Sequence, residues 1–376
     1  MPLHARKFVL SLTRAVSKYT KAGAEKSSYV FGVAKSRKSL STRAITFATA
    51  GVVGGTPLCL FAFKDSLFIK FYIRYWLTLP ECPSHKRAEL SEELDDIIEQ
   101  EVIKSGVLEI SKFRFWKFQP HVVGFAARCL EPVECGHPVF PTGAYVGIPY
   151  SFTLNDASDV LENWSKLMEY FRSCGYEMPI EPHLHSAYGR ALSTGCVLSK
   201  NAKRFAIQRS LQRFKIINES FWEPLWVAMT AGVGVTSVIG VSQLPVVARQ
   251  NRIVRFTWLA GVACFTTFIL VNFRNTLLAY VDRKADRQTV DLNRDVYLKG
   301  AVEYYQKSLL KNRTLRHLMD HKGTRNFDEL GNHKGFLPIP LQSKFSLMQH
   351  LADMKNELFK SQLVDDVPDA ADYTVV

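Results

Sequence analysis

Apolar positions along this 376-residue chain follow two patterns, unbroken runs and spaced stripes. Pro224 to Ala248 and Phe256 to Phe273 carry no charged residue, and Arg249, Arg252 and Arg255 lie between them. Each run is long enough to cross a hydrocarbon core of ~30 Å as a helix, which takes roughly 17–25 residues. The link is short, so the pattern predicts an antiparallel transmembrane hairpin over 224–273, with helices at 224–248 and 256–273. Ala44 to Phe63 is a third uncharged run, flanked by Arg43 and Lys64 and interrupted by Pro57, and it predicts a first span over 44–63. Gly51 and Gly55 stand at GxxxG spacing in that run, and Gly232, Thr236 and Gly240 recur every four residues in the first hairpin helix. Small residues so spaced let helices approach closely, which makes these five the candidate positions for helix packing or partner binding.

Between and after the runs the spacing changes. Arg87 to Lys104 sets acids opposite Leu94, Ile97, Ile98 and Val102, as on an amphipathic helix. Phe113 to Gln119 and Tyr145 to Pro149 read as strands, the second stopped by proline. Ala157 to Arg172 reads as one amphipathic helix, and Ala191 to Leu198 as a further strand. Ser199 is placed to cap a helix running through Phe221. Asn275 to His317 is one long helical pattern, interrupted near Gly300, within a segment 274–360 expected to pack on an α+β domain at 64–223. The acidic residues Asp365, Asp366, Asp369 and Asp372 mark 361–376 as a disordered tail. The fold class is therefore an α+β membrane protein, mainly helical with a small sheet.

Charge adds a destination. The net charge of +13 is concentrated at the start, where residues 1–43 hold ten Lys or Arg against the single acid Glu25. Arg6, Lys7, Arg14, Lys18 and Lys21 recur among apolar residues as on one amphipathic helix, the pattern of a mitochondrial targeting leader. With three spans, leader and arginine link share the matrix side, and the remaining segments share the intermembrane space. With two spans those segments still share one side. No basic, aromatic-interleaved platform continues past the leader, which argues against nucleic acid as a partner. No charged residue interrupts the runs, which argues against an ion pathway. Seven scattered cysteines without a CxxC pair do not make a disulfide framework. Cys129, Cys135, His121 and His137 crowd one Gly/Pro-rich stretch, and His183 and His185 alternate, but neither group has the spacing of a metal site.

Phe118-Gln119-Pro120, Val146-Gly147-Ile148-Pro149, Leu198-Ser199, Ala202 through Ile207, Asp282-Arg283-Lys284, Gly300 through Tyr305 and Leu315-Arg316 occur in that order. In this order of segments, over roughly 44–320, the sequence resembles the transmembrane protein 177 family. The resemblance implies a multi-pass protein of the mitochondrial inner membrane that assists biogenesis of cytochrome c oxidase subunit II, acting with that subunit's membrane chaperone. The partners implied are thus the bilayer, subunit II and the chaperone.

A more distant likeness concerns membrane zinc proteases of the gluzincin type, which carry an HExxH helix, in some members a hairpin, and then a third ligand. The lead-in Phe205-Ala206-Ile207-Gln208 resembles the approach to that box, but the box position reads Arg209-Ser210-Leu211-Gln212-Arg213. Asp282 to Asp286 stands where the third-ligand motif would fall. Zinc needs two neutral imidazoles one helical turn apart and a carboxylate to activate water; guanidinium groups repel a dication. The reading is a degenerate protease-like scaffold, a pseudoenzyme, with no catalytic, cofactor or metal residues. A membrane zinc metalloprotease in proteolytic quality control and a general membrane scaffold stand as the alternatives.

Overall fold

The computed structural model describes residues 90–107, 122–136, 143–179, 181–219, 222–244, 251–334 and 347–365, with isolated positions at 47, 48, 50–52, 55, 73, 77 and 247. The leader, most of the 44–63 run, the 113–119 segment and the last eleven residues lie outside them. The chain divides into two compact units, one from 1–61 with 224–273, the other from 62–223 with 274–376.

The second unit begins with α1 (Glu92–Ser105), whose first turn carries Glu92, Glu93 and Asp95. Acids there complement the positive end of the helix dipole. Leu94, Ile97, Ile98 and Val102 form its buried stripe, and Gly106, at φ +67°, ends it in the left-handed conformation that favours glycine. Three strands follow: β1 (Val122–Ala127), β2 (Val133–Gly136) and β3 (Ala144–Pro149). Their order is β1-β3-β2. β3 runs parallel to β1, with Val122 opposite Ala144, and antiparallel to β2, with Val133 opposite Gly147. Every residue of this central strand is buried. A β-carbon on Gly147 would meet the Ala127 methyl at 2.7 Å and the Phe125 ring at 2.9 Å, so the sheet needs glycine there.

Helices α2 (Ala157–Glu162) and α3 (Trp164–Ser173) replace the single helix expected over 157–172. Asn163, at φ −107° and ψ 19°, divides them; its side chain donates to the Asp159 carbonyl at 2.9 Å, beside its own backbone N–H at 3.0 Å. The strand expected at 191–198 is instead part of helix α4 (Ala187–Cys196). Ser186 caps it by accepting from Gly189 N–H at 3.0 Å, and Leu192 and Cys196 bury one face. Helix α5 (Lys200–Glu219) has the expected start: Ser199 Oγ accepts from Ala202 N–H at 3.2 Å.

Helix α6 (Trp222–Gln243) leads into the first unit, and α7 (Arg252–Leu292) passes from the first unit to the second. Next come α8 (Arg294–Leu318), α9 (Asp320–Asn326) and α10 (Leu347–Asp365). The break in the long helical pattern falls at Asn293, which caps α8 by accepting from Val296 N–H at 3.3 Å, and not at Gly300. Gly300 serves another purpose: a β-carbon there would lie 2.4 Å from the Asn201 carbonyl oxygen, so α8 and α5 touch backbone to backbone. Helix α10 continues to Asp365, five residues into the segment expected to be a disordered tail.

Helix α8 is the axis of the second unit and packs on α4, α5, α9 and α10. Its main core joins Ile97, Ile98, Val146, Ile148, Phe205, Leu211, Tyr304, Tyr305, Leu351 and Met354. In the first unit Ala50, Val238 and Leu259 are buried together. Among the described residues no helix is long and apolar enough to cross a membrane. Within the uncharged runs at 224–248 and 256–273, the side chains at 224–228, 230, 231, 245, 246, 248, 267 and 270–273 lie outside the described set. The membrane spans expected at 44–63, 224–248 and 256–273 thus have no described counterpart, whereas the mainly helical α+β class is met.

Candidate functional site

An α-helix brings residues four apart onto one face. On α5 that face carries Arg209 and Arg213, and on α7 it carries Asp282 and Asp286. The two faces meet inside the second unit. Arg209 Nε donates to Asp286 Oδ1 at 2.7 Å, and its Nη2 lies 3.4 Å from Asp282 Oδ1. Arg213 Nε lies 3.1 Å from the same Asp282 oxygen, and its Nη1 donates to Glu134 Oε2 on β2 at 3.2 Å. Two further elements close over Asp286. Tyr305 of α8 donates to both carboxylate oxygens, at 2.9 and 3.0 Å, and Nδ1 of His350 on α10 makes a short contact with Oδ2.

Arg209, Asp286, Tyr305 and His350 are all buried. Burial by itself would raise the Asp286 carboxyl, but the Arg209 charge and the hydrogen bonds of His350 and Tyr305 outweigh it, holding the group below the ordinary carboxylate range. Burial likewise opposes charge on Arg209, yet Tyr305, Asp286 and Asp282 raise its pKa well above the usual value. Burial pushes the Tyr305 phenol far up, so it is a neutral donor. The assembly is a buried ion-pair network in which two guanidinium groups face three carboxylates.

These residues do not fit a zinc box. Asp282 and Asp286 have the chemistry of ligands, but Asp286 already serves a guanidinium, a phenol and an imidazole, and Asp282 faces both arginines. Among the described residues no group of three or more His, Cys, Asp or Glu side chains could hold a metal ion. Cys129 and Cys135 sit in a small apolar cluster with Phe125 and Tyr145, and burial pushes the Cys129 thiol well up; His121 and His137 lie outside the described residues. The His183 carbonyl accepts from Ser186 Oγ at 2.6 Å, which makes His183 part of the turn entering α4.

The five candidate packing positions are not gathered anywhere. Gly51, Gly232, Thr236 and Gly240 are exposed and Gly55 is half-buried. A β-carbon at any of the four glycines would meet nothing within 4 Å among the described residues. The Thr236 hydroxyl turns back to its own helix, donating to the Gly232 carbonyl at 2.8 Å. Packing within the first unit uses Ala50, Val238 and Leu259 instead.

Sequence reasoning missed His350 and the role of Tyr305. It also missed a second buried acid, Glu101, which accepts from Lys104 Nζ at 3.1 Å and from the Tyr297 hydroxyl. The available signal was a lone acid on the apolar side of α1, beside Ile97, Ile98 and Val102.

The fold and site define a mainly helical α+β protein organised around a sealed ion-pair network. The chain belongs to the Transmembrane protein 177 family, whose family model matches residues 85–366. It is 31% identical to Transmembrane protein 177 of Danio rerio over 257 residues, 65% of this chain and 73% of that relative. To the Homo sapiens protein of the same name it is 26% identical over 288 residues, 74% of this chain and 80% of the relative. The Mus musculus protein is 24% identical over 283 residues, again 74% and 80%. No solved structure matches the chain. The matched span contains every member of the ion-pair network and excludes Gly51 and Gly55.

Proposed function

We propose that this chain is a multi-pass protein of the mitochondrial inner membrane that stabilises newly inserted cytochrome c oxidase subunit II by binding it or its membrane chaperone, without catalysis. The observation that carries the non-catalytic reading is the commitment of Arg209 and Arg213 to Asp282, Asp286 and Glu134. A cation pair fills the position where a hydrolase of this layout would need neutral ligands. Membrane residence is supported by the family and by the uncharged runs at 44–63, 224–248 and 256–273. It is further supported by Phe256, Trp258, Phe265 and Ile269, large apolar side chains that α7 leaves exposed. The basic leader supports the mitochondrial destination. The client is taken from the family resemblance, and the unit holding the ion-pair network is assigned to the intermembrane space by the positive-inside rule.

Crosslinking in intact mitochondria tests this directly. Subunit II and its chaperone are expected among the captured proteins, and a Gly51→Leu/Gly55→Leu chain should recover less of them at unchanged abundance. Capture of neither protein by the wild-type chain would remove the client assignment. Stoichiometric zinc in the purified chain, with chelator-sensitive cleavage of a membrane substrate, would overturn the non-catalytic reading.

A further inference from the structure

Helices α5, α8 and α10 converge on Asp286 of α7, and α10 is the one the others can spare. Arg209 Nε donates to Asp286 at 2.7 Å and Tyr305 donates to both of its oxygens, contacts that owe nothing to His350. Asp282 faces Arg209 and Arg213, and Glu134 accepts from Arg213. Every charge of the network therefore keeps a counter-charge when α10 is taken away. The core behaves alike. Helix α8 also packs on α4, α5 and α9, and Phe205 of α5 meets the rings of Tyr304 and Tyr305 at 5.9 and 5.8 Å.

Helix α10 runs antiparallel along α8. His350 lies against Tyr305, with ring centroids 5.5 Å apart, and Glu357 meets Arg294 at the start of α8. One stripe seats it: His350, Leu351 and Met354 are buried and Leu358 partly so, at positions i, i+1, i+4 and i+8. Leu351 and Met354 share their cluster with Tyr297, Leu298 and Ala301 of α8. The polar contacts beside the stripe, Gln349 with Arg283 and Glu357 with Arg294, are exposed, and exposed pairs of this kind hold little. An element held by one stripe on a scaffold that stands without it opens ahead of the core. What it uncovers is an apolar strip of α8 ending at a carboxylate held below its ordinary range. A helix filling such a strip needs apolar anchors at the spacing of Leu351, Met354 and Leu358, and a cation or N–H donor in the place of His350.

We propose that α10 is a reversible cover and that the strip beneath it docks an amphipathic helix of a partner protein. The occupant carries a basic side chain directly before a leucine, then apolar residues three and seven positions after that leucine. Charge complementarity with Asp286 selects the basic residue, and the apolar spacing sets the register. The groove adds a place for a partner helix to the binding role proposed above and does not depend on which client is bound.

The test uses the full chain in detergent, with a fluorescent peptide of the sequence of residues 347–365 as the probe. Leu351→Asp/Met354→Asp places two charges on the seating stripe and should free the groove. Cys196, buried on α4, should stay as slow to label in this variant as in the wild-type chain. The peptide should bind the variant roughly tenfold or more tighter than the wild-type chain, whose tethered α10 competes at an effective concentration on the order of mM. His350→Ala in the peptide should weaken binding roughly tenfold, the effect of losing a hydrogen bond to a charged group, whereas His350→Lys should preserve it. In the wild-type chain, amides of α10 should exchange with deuterium roughly tenfold or more faster than those of α8. Fast Cys196 labelling in the variant, or equal amide protection of α10 and α8, overturns the cover. A folded variant that binds the peptide no more tightly than the wild-type chain, or equally well after His350→Ala, overturns the docking groove.

Discussion

Replacing Arg209 with methionine removes one charge from the centre of the second unit and keeps most of the side chain's apolar stem. Asp286, with 1% of its side chain exposed, would lose its guanidinium contact, while Asp282, with 8%, would keep the Arg213 guanidinium, which also serves Glu134. Breaking a buried pair by deleting one partner costs about 3–5 kcal/mol, because the remaining charge has neither water nor a counter-ion. Tyr305 and His350 still contact Asp286, which places the expected loss at the lower end, about 3 kcal/mol. Cys196 is a suitable reporter, since it is buried on α4, which packs against α8. Its labelling by a thiol reagent in sub-denaturing urea should accelerate roughly a hundredfold, at about tenfold per 1.4 kcal/mol. The double replacement Arg209→Met/Asp286→Leu should recover part of the loss, because replacing both members of a buried pair by apolar groups is often near neutral. Acceleration below about fivefold in the single variant would refute the argument that this is a buried, mutually dependent pair.

Two further outcomes follow from the same geometry. Because the folded-state pKa of Asp286 is depressed, the unfolded chain binds the extra proton first on acidification. The group's contribution to stability is therefore complete well above the ordinary value of 3.8 and is lost as pH falls through and below it, and Asp286→Asn should flatten a urea-midpoint-versus-pH curve in that acid window. Gly300→Ala should lower the thermal midpoint of the second unit, since its methyl would lie 2.4 Å from the Asn201 carbonyl oxygen, whereas Gly240→Ala, in open space, should leave it unchanged.

Local periodicity made several elements legible before any coordinates. The stripe of Leu94, Ile97, Ile98 and Val102 is the buried face of α1, and Ser199 caps α5. The failures share a cause, which is packing across distance. Ala191 to Leu198 is short and rich in small residues, and its period is ambiguous. It is helical because α4 lies so close to α8 that a β-carbon on Gly195 would come within 3.0 Å of Lys311. Gly300 looked like a helix breaker because glycine costs about 1 kcal/mol in a helix interior. Its role is to admit the backbone of α5, a neighbour no local window contains. Asn293, seven residues earlier, was the better stop signal because its side chain caps the next helix. In the site itself, Arg209, Arg213, Asp282 and Asp286 were legible as two pairs at one-turn spacing. His350 was not, since it reaches Asp286 from a helix 64 residues further along the chain.

The spacing of those two pairs explains more than their burial. Arg209 pairs with Asp286 and Arg213 with Asp282, so the outer members of one pair match in reverse order the members of the other. This is the pattern of two antiparallel helices in one register. A slip of one turn between α5 and α7 would cost one arginine and one aspartate their mutual ion pairs across this seam while both stay buried, leaving Arg213 with Glu134 and Asp286 with Tyr305 and His350. The apolar part of this seam, Ile216 with Val281 and Ala285, tolerates such a slip far better, because dispersion contacts are not directional. A uniformly hydrophobic seam could be as stable as the charged one, but it would not select a register. Arginines at the metal-box positions therefore have a positive role: they fix how the helix before residues 224–273 meets the helix after them, with Tyr305 and His350 tying α8 and α10 to the same carboxylate.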